Sequence, residues 1–295
     1  MYKKSALSIV IPTYKRCKSV VALVNSIIPQ MIDEDELLVV DDGSSDDTTD
    51  LLSKIERIRV ISNTSNEGML KTWNKCLISA TNDWICMIHD DDTIAADALE
   101  TIRKATELVK PSIVGHIYDE DSLDNCFRYR IVEPGAWAAL NPFPIPSGVT
   151  IHKAIIKEIG LFNERFQYSA DIEYFSRICA KFTSIVIENP RIVSFNLHSE
   201  NYEYKTWGKI DFLAQLEEIE KCLIEYAGIE GKEASEYFHN KMNCYVGYIM
   251  DNAYKSEDKH LLRKFCSEAK KRKYLNKRNL LSARIASVLN WNPKF

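Results

Sequence analysis

Four short apolar runs separated by stretches of helical spacing constrain this chain more than anything else in it. Residues 7–11, 35–40, 57–62 and 84–88 are rich in β-branched and aliphatic side chains and read as strands. Between the first two, Val20, Leu23, Val24, Ile27 and Ile28 recur at helical spacing. After the second, the turn Asp41-Asp42-Gly43-Ser44-Ser45-Asp46 is rich in N-cap residues and opens a helix through Leu51, Leu52 and Ile55. Residues 69–80 and 95–109 supply two further helices. Strand and helix alternating at such short intervals predict an α/β fold, a mostly parallel sheet flanked by helices on both faces.

In sheets of that kind, ligands sit beyond the carboxyl ends of the strands. Three polar clusters leave strands at that edge: Pro12-Thr13-Tyr14-Lys15-Arg16, Asp41-Asp42-Gly43-Ser44 and Asp90-Asp91-Asp92. Three adjacent carboxylates repel one another, so a fold that gathers them needs a compensating cation. Hard oxygen ligands suit Mg²⁺ or Mn²⁺, which bind through one or two carboxylates together with substrate phosphates. The other reading of the triple Asp is a solvated acidic turn capping the next helix. Convergence of all three clusters on one edge favours a binding site.

Charge is unevenly distributed. From Lys255 onward there are 12 Lys and Arg against 3 Asp and Glu, leaving 26 against 39 for residues 1–254. The acidic body is therefore no nucleic-acid binder, while the tail needs its own explanation. The eight cysteines are scattered with no C-x-x-C pair and no zinc spacing, which fits a reducing cytoplasm. No window approaches the ~18–20 apolar residues of a membrane span, and the apolar run of the N-terminus closes at Pro12 without a small-residue cleavage site, so the expectation is a cytoplasmic protein.

Further along, residues 112–118 read as a fifth strand. Residues 133–147 are rich in Pro and aromatics and read as an ordered loop or short helix, either a linker or a wall of an acceptor pocket, the latter favoured because Trp137 and Phe143 are costly to leave in water. Residues 147–161 read as a strand and a helix ending at Gly160, a helix opens near Asp171, and residues 185–195 supply extended segments around Pro190. From Trp207 the chain turns helical, with apolar stripes at Phe212, Leu216, Ile219, Leu223 and at Phe238, Met242, Tyr245, Ile249.

Taken together, Ser8-Ile-Val-Ile-Pro-Thr-Tyr-Lys-Arg, Leu38-Val-Val-Asp-Asp-Gly-Ser-Ser-Asp, Asn66-Glu-Gly, Ile88-His-Asp-Asp-Asp, Gly160-Leu-Phe-Asn-Glu and Asp171-Ile-Glu-Tyr resemble, in order and spacing, the family 2 glycosyltransferases of the GT-A fold. The resemblance covers roughly the first 200 residues. It implies a GT-A type, Rossmann-like nucleotide-sugar-binding and catalytic domain over residues 1–205, followed by a helical C-terminal region over 206–295. It also implies a nucleotide-diphosphate-sugar donor, a Mn²⁺ or Mg²⁺ ion, and transfer with inversion at the anomeric carbon. By motif, Pro12, Thr13, Tyr14 and Arg16 line the donor nucleotide, and Asp41 and Asp42 contact its base. Asp90 and Asp92 match the metal-binding D-x-D, Asp91 lies nearer the donor sugar, and Asp171 stands where the family has its general base. His198 falls where many GT-A enzymes place a metal or pyrophosphate ligand. Two departures are Ala170-Asp171 for the frequent Glu-Asp and Phe162-Asn163-Glu164 for Phe-Asp-Glu.

Simple chemistry agrees with these roles. A nucleoside diphosphate leaves poorly unless charge on its β-phosphate is stabilised, and a sugar hydroxyl is a weak nucleophile unless a carboxylate takes its proton. The basic tail, with apolar stripes through Leu261, Leu262, Phe265 and Ala269 and through Leu281, Ile285 and Leu289, fits either the surface of an anionic inner membrane or the acidic body. The expected acceptor is a glycan or a lipid-diphosphate-linked sugar, such as an O-antigen or capsule unit. A sugar-phosphate nucleotidyltransferase and a non-catalytic nucleotide-sugar-binding scaffold are the alternatives from other functional classes.

Overall fold

The computed structural model describes residues 4–117, 126–143, 146–194, 212–255 and 259–274. The chain divides into two compact units, Met1–His198 and Ser199–Phe295. In the first, β1 (Leu7–Thr13), α1 (Cys17–Ile27), β2 (Glu36–Asp41), α2 (Thr48–Leu52), β3 (Arg59–Ser62), α3 (Met69–Ser79) and β4 (Trp84–Met87) follow one another as the periodicity predicts. They continue into β5 (Thr93–Ile94), α4 (Ala98–Thr106), β6 (Ile113–His116), β7 (Arg128–Val132), α5 (Ala136–Leu140), β8 (Thr150–His152), α6 (Lys153–Ile159), α7 (Ala170–Cys179), β9 (Ser184–Asn189) and β10 (Val193–Ser194).

Eight strands form one sheet in the order β3-β2-β1-β4-β8-β6-β9-β7, while β5 and β10 pair separately. The half containing β1 to β4 is entirely parallel. β8 inserts antiparallel between β4 and β6, and β7 closes the far edge antiparallel to β9. The sheet is thus mostly parallel and covered by helices on both faces.

Side-chain alternation along the strands explains the two layers. Leu7, Ile9, Ile11, Leu37, Val39, Trp84 and Cys86 pack with Val20, Leu23, Val24 and Ile27 of α1 and with Leu99 and Ile102 of α4. On the other face Ile85, Met87, Val149 and Ile151 meet Trp73 and Leu77 of α3. Every residue of β1 is buried, which fits its central position.

At the amino-terminal edge of the sheet the core contains an ion pair. Asp35 accepts from Arg103 Nη2 at 2.8 Å and Nη1 at 3.1 Å, and from the N–H groups of Leu7 and Ile32 at 2.9 Å each. Its side chain is fully buried and that of Arg103 nearly so. The pair ties α4 to the starts of β1 and β2.

Two features differ from the sequence reading. β7 has no apolar run to announce it, because as an edge strand it alternates Arg128, Tyr129, Arg130 and Ile131, all exposed. Trp137 is 59% exposed, whereas Phe143 is buried. The cost of hydrating an aromatic ring is therefore avoided at only one of the two positions.

In the second unit lie α8 (Phe212–Ala227), α9 (Gly231–Lys255) and α10 (Lys259–Lys271). Leu216, Ile219 and Leu223 of α8 are buried, as the stripe predicted, and Leu213 is buried with them. Glu217 of α8 accepts from Arg272 at 2.5 Å and from the Tyr274 hydroxyl, anchoring the chain just after α10. Among the described residues, no helix is long and apolar enough to cross a membrane. The tail stripe from Leu281 onward lies outside the described residues.

Candidate active site

Parallel pairing sets Thr13 beside Asp41 and Val10 beside Met87, so the segments after β1, β2 and β4 emerge at one edge. They are then bonded to one another. Thr13 Oγ1 donates to Asp90 Oδ2 at 2.7 Å, the Asp42 N–H donates to the Thr13 carbonyl at 2.9 Å, and the Ile88 N–H donates to the Val10 carbonyl at 3.0 Å. Lys15, in a left-handed conformation with φ 54°, gives its N–H to Ser44 Oγ at 2.8 Å. The three polar clusters predicted to converge are in direct contact.

Arg16 stands among the carboxylates. Its Nη1 donates to Asp90 Oδ1 at 2.9 Å and to Asp91 Oδ2 at 2.5 Å. Burial pulls the guanidinium pKa down, but the adjacent Asp90 and Asp91 outweigh it and hold it above its ordinary value. Burial pushes the Asp90 carboxyl up, against the pull of Arg16 and the Thr13 hydroxyl.

Asp41 and Asp42 organise backbone. Asp41 accepts from the Ser44 N–H and hydroxyl and from Thr49 Oγ1 at 3.2 Å. Asp42 accepts from Asn63 Nδ2 at 2.8 Å, the Glu67 N–H at 2.8 Å and the Gly68 N–H at 2.9 Å. Gly43 between the turn and this loop has φ 71°, and a Cβ there would lie 2.5 Å from the Ser65 carbonyl carbon. Only glycine allows that approach. Next to this floor Pro12 is buried in β1 and Tyr14 is exposed, with Lys15 Nζ 5.0 Å from its ring centre.

At the acidic edge Asp90 Oδ2 accepts from Thr13 and Oδ1 from Arg16, while His89, Asp91 and Asp92 each offer a ligand atom within 4.8 Å of the others. His89 Nε2 is buried with no hydrogen-bond partner among the described residues. Its ring stacks on Trp73, centroids 4.9 Å apart and planes 26° from parallel, and the His89 backbone N–H donates to Ser147 Oγ at 3.0 Å. Burial pushes the imidazole pKa down to about 4, so at neutral pH it carries a free lone pair. Two carboxylates and a neutral imidazole fit a divalent first-row cation such as Mn²⁺. His198 lies outside the described residues.

Asp171 is the second residue of α7, directly after the left-handed Ser169. Part of it reaches the surface, yet surrounding protein raises its pKa by burial, opposed by the N–H groups of Ile172 and of Asp171 itself. Glu173, two positions on, is held at 3.0 and 3.1 Å by Arg177 and is 1% exposed. A chain of ring contacts runs from the acidic edge to α7: His89 on Trp73, Trp73 on Phe162 at 5.2 Å, and Phe162 on Tyr174 at 4.1 Å. This ladder carries no signal in the sequence, where Trp73 falls within a helix and Phe162 within a turn.

These groups stand at the carboxyl edge of an α/β sheet, and similarity to known proteins identifies the class. Residues 8–159, just over half of the chain, match the model of "Glycosyl transferase family 2". The chain belongs to that family and is a glycosyltransferase. The glycosyltransferase GlyG of Streptococcus pneumoniae is 23% identical over 203 residues, covering 61% of this chain and 67% of GlyG. The GalNAc(5)-diNAcBac-PP-undecaprenol beta-1,3-glucosyltransferase of Campylobacter jejuni is 31% identical over 167 residues, 54% of each chain. Several other curated relatives are spanned over about a third of their length or less. Among solved structures, S. aureus TarS 1–349 in complex with UDP-GlcNAc superposes with TM-score 0.65 at 17% identity, over 97% of this chain and 89% of that one, which establishes the shared fold.

Proposed function

We propose that this glycosyltransferase moves a sugar from a nucleotide-diphosphate donor to an acceptor hydroxyl with inversion, residues 1–205 carrying donor binding and catalysis and residues 206–295 forming the helical region. The observation that carries the reading is the bonded junction of Thr13, Arg16 and Asp90 at the carboxyl ends of β1 and β4, beside the His89, Asp91 and Asp92 group. A fold shared with a protein solved with UDP-GlcNAc supports a nucleotide-sugar donor.

In this reading the turn Pro12 to Arg16 and the Asp41 and Asp42 loops shape the nucleotide pocket, and Arg16 meets the diphosphate. His89, Asp91 and Asp92 are the residues that would hold Mn²⁺ or Mg²⁺, with Asp90 fixing Arg16 and Thr13 beside them. A divalent cation held by these residues would supply positive charge against the leaving β-phosphate. Asp171 takes the proton of the acceptor hydroxyl as its oxygen bonds to the anomeric carbon, on the face opposite the departing nucleotide. General-base help of this kind is worth roughly 10²–10⁴ in rate, and a raised carboxyl pKa brings the base closer to working pH.

For the acceptor we propose a lipid-diphosphate-linked sugar at a membrane surface, such as an O-antigen or capsule intermediate. The excess of 12 basic over 3 acidic residues from Lys255 onward supports it, as does the Campylobacter relative whose name specifies an undecaprenol-diphosphate-linked glycan.

A thermal-shift panel of UDP-, GDP-, dTDP- and CMP-sugars, each with Mn²⁺ or EDTA, tests the donor site. Ligand at about 100 times its dissociation constant stabilises by roughly 2.7 kcal/mol. The reading expects one nucleotide class to give a Mn²⁺-dependent shift that Asp92→Ala abolishes. No shift with any donor, with or without metal, would overturn it.

A further inference from the structure

We infer that Asn74 is a positioning residue for the catalytic helix, fixing from α3 the turn on which α7 and its Asp171 are mounted. The inference rests on the general-base reading of Asp171 for its functional half and on geometry alone for its structural half.

Asn74 is buried, and its amide treats Phe162 as a strand partner would. Its Oδ1 accepts from the Phe162 N–H at 2.9 Å and its Nδ2 donates to the Phe162 carbonyl at 3.1 Å. The same Nδ2 also reaches Glu164 Oε1 at 3.2 Å. From the other side α7 grips the same turn. Tyr174 Oη donates to the Gly160 carbonyl at 3.0 Å, and Arg177 donates to the Ile159 and Leu161 carbonyls at 2.7 and 2.9 Å while bound to Glu173. The Phe162 ring is packed between Trp73 and Tyr174.

Backbone groups of residues 159–162 are therefore held by side chains from two helices, Asn74 on α3 and Tyr174 and Arg177 on α7. Tyr174 follows Asp171 by three residues, so it lies on the same side of α7 one turn further along. Whatever locates Tyr174 against the turn also locates Asp171. At its other end α3 is preceded by Gly68, whose N–H is held by Asp42, and Trp73 beside Asn74 stacks on His89. One helix thus meets the nucleotide-side loop, the acidic edge and the mounting of the base. Displacing a catalytic group by about 1 Å costs on the order of 100-fold in rate, so an anchor with no substrate contact has a measurable kinetic effect.

Hydrogen–deuterium exchange on the full chain tests the structural half without any substrate, comparing wild type with Asn74→Ala and with Asn74→Asp, which keeps the acceptor oxygen but loses both donations. Amides of residues 159–175 are expected to exchange at least ~10-fold faster in both variants, with wild-type protection retained in β1, β2 and β4. Nucleoside-diphosphate release from UDP-GlcNAc, or from whichever panel donor shifts the wild type, tests the functional half. There kcat should fall about 10- to 100-fold with donor KM within about twofold. Unchanged exchange over 159–175, or loss of protection throughout the sheet in both variants, overturns the inference. So does unchanged kcat where Asp171→Asn abolishes turnover. Wild-type turnover by Asp171→Asn instead overturns the general-base reading, leaving the anchor to be judged by exchange.

Discussion

Arg16 and Asp90 share a hydrogen bond of 2.9 Å, and the other oxygen of Asp90 is taken by the Thr13 hydroxyl at 2.7 Å. The carboxylate is buried, and its charge is supported by these two neighbours. Arg16→Ala removes the cation and leaves a buried acceptor short of a donor, at a cost of about 1–3 kcal/mol. Urea unfolding should read that loss, and nucleoside-diphosphate affinity should fall with it. Arg16→Lys should recover only part of both, because a single ammonium does not reproduce the guanidinium's reach to Asp90 and Asp91 together.

Asp171 gives a signed pH dependence. Burial raises its carboxyl pKa, and a general base works only when deprotonated. Activity should therefore rise with pH through an acid limb lying above the ordinary carboxylate value of about 3.9, and kcat/KM against pH reads it in the free enzyme. Asp171→Asn should lose roughly 10²–10⁴ in kcat and the acid limb with it. An acid limb at or below the ordinary carboxylate value would count against Asp171 as the base.

His89 supplies the test of metal binding. With its pKa pushed down to about 4 by burial, it is neutral at pH 7 and needs no proton removed before it can ligate. Titration calorimetry with Mn²⁺ should find His89→Ala weakened by about tenfold or more, roughly 1.4 kcal/mol. Asp92→Asn should be weakened at least as much. Equal Mn²⁺ affinity in wild type and both variants would remove the group as a cation site.

The ion pair of Asp35 with Arg103 makes a stability prediction far from the chemistry. Asp35→Ala strands a buried guanidinium and two backbone N–H groups, so the loss should reach about 3–5 kcal/mol. For a unit of this size that is roughly 6–20 °C in Tm by calorimetry. Adding Arg103→Met to the same chain should regain part of it, since the uncompensated charge is then gone.

The parallel half of the sheet was readable because β1, β2 and β4 are apolar on both faces and stretches of helical period lie between the strands. Convergence of Thr13, Asp42 and Asp90 followed from the rule that parallel strands end together. What could not be read was how the carboxylates share their partners. Adjacent Asp residues look alike in sequence, and whether Asp90 meets Thr13 or a cation depends on the direction each side chain takes after the strand ends. The Glu173 and Arg177 pair carried a signal in its four-residue spacing. Asn74 carried none, because its partner Phe162 lies 88 residues away.

Among the described residues the edge strand β7 pairs with β9 alone, and β9 is made later. A ribosome that has just released Arg128 to Val132 must add about 50 more residues before their partner emerges, several seconds of synthesis at ~5–20 residues per second. Over that interval the segment carrying Tyr129 and Ile131 lacks the partner it has in the finished sheet. Arg128 and Arg130 beside them are charges of the kind that guard an unpaired strand against the wrong neighbour.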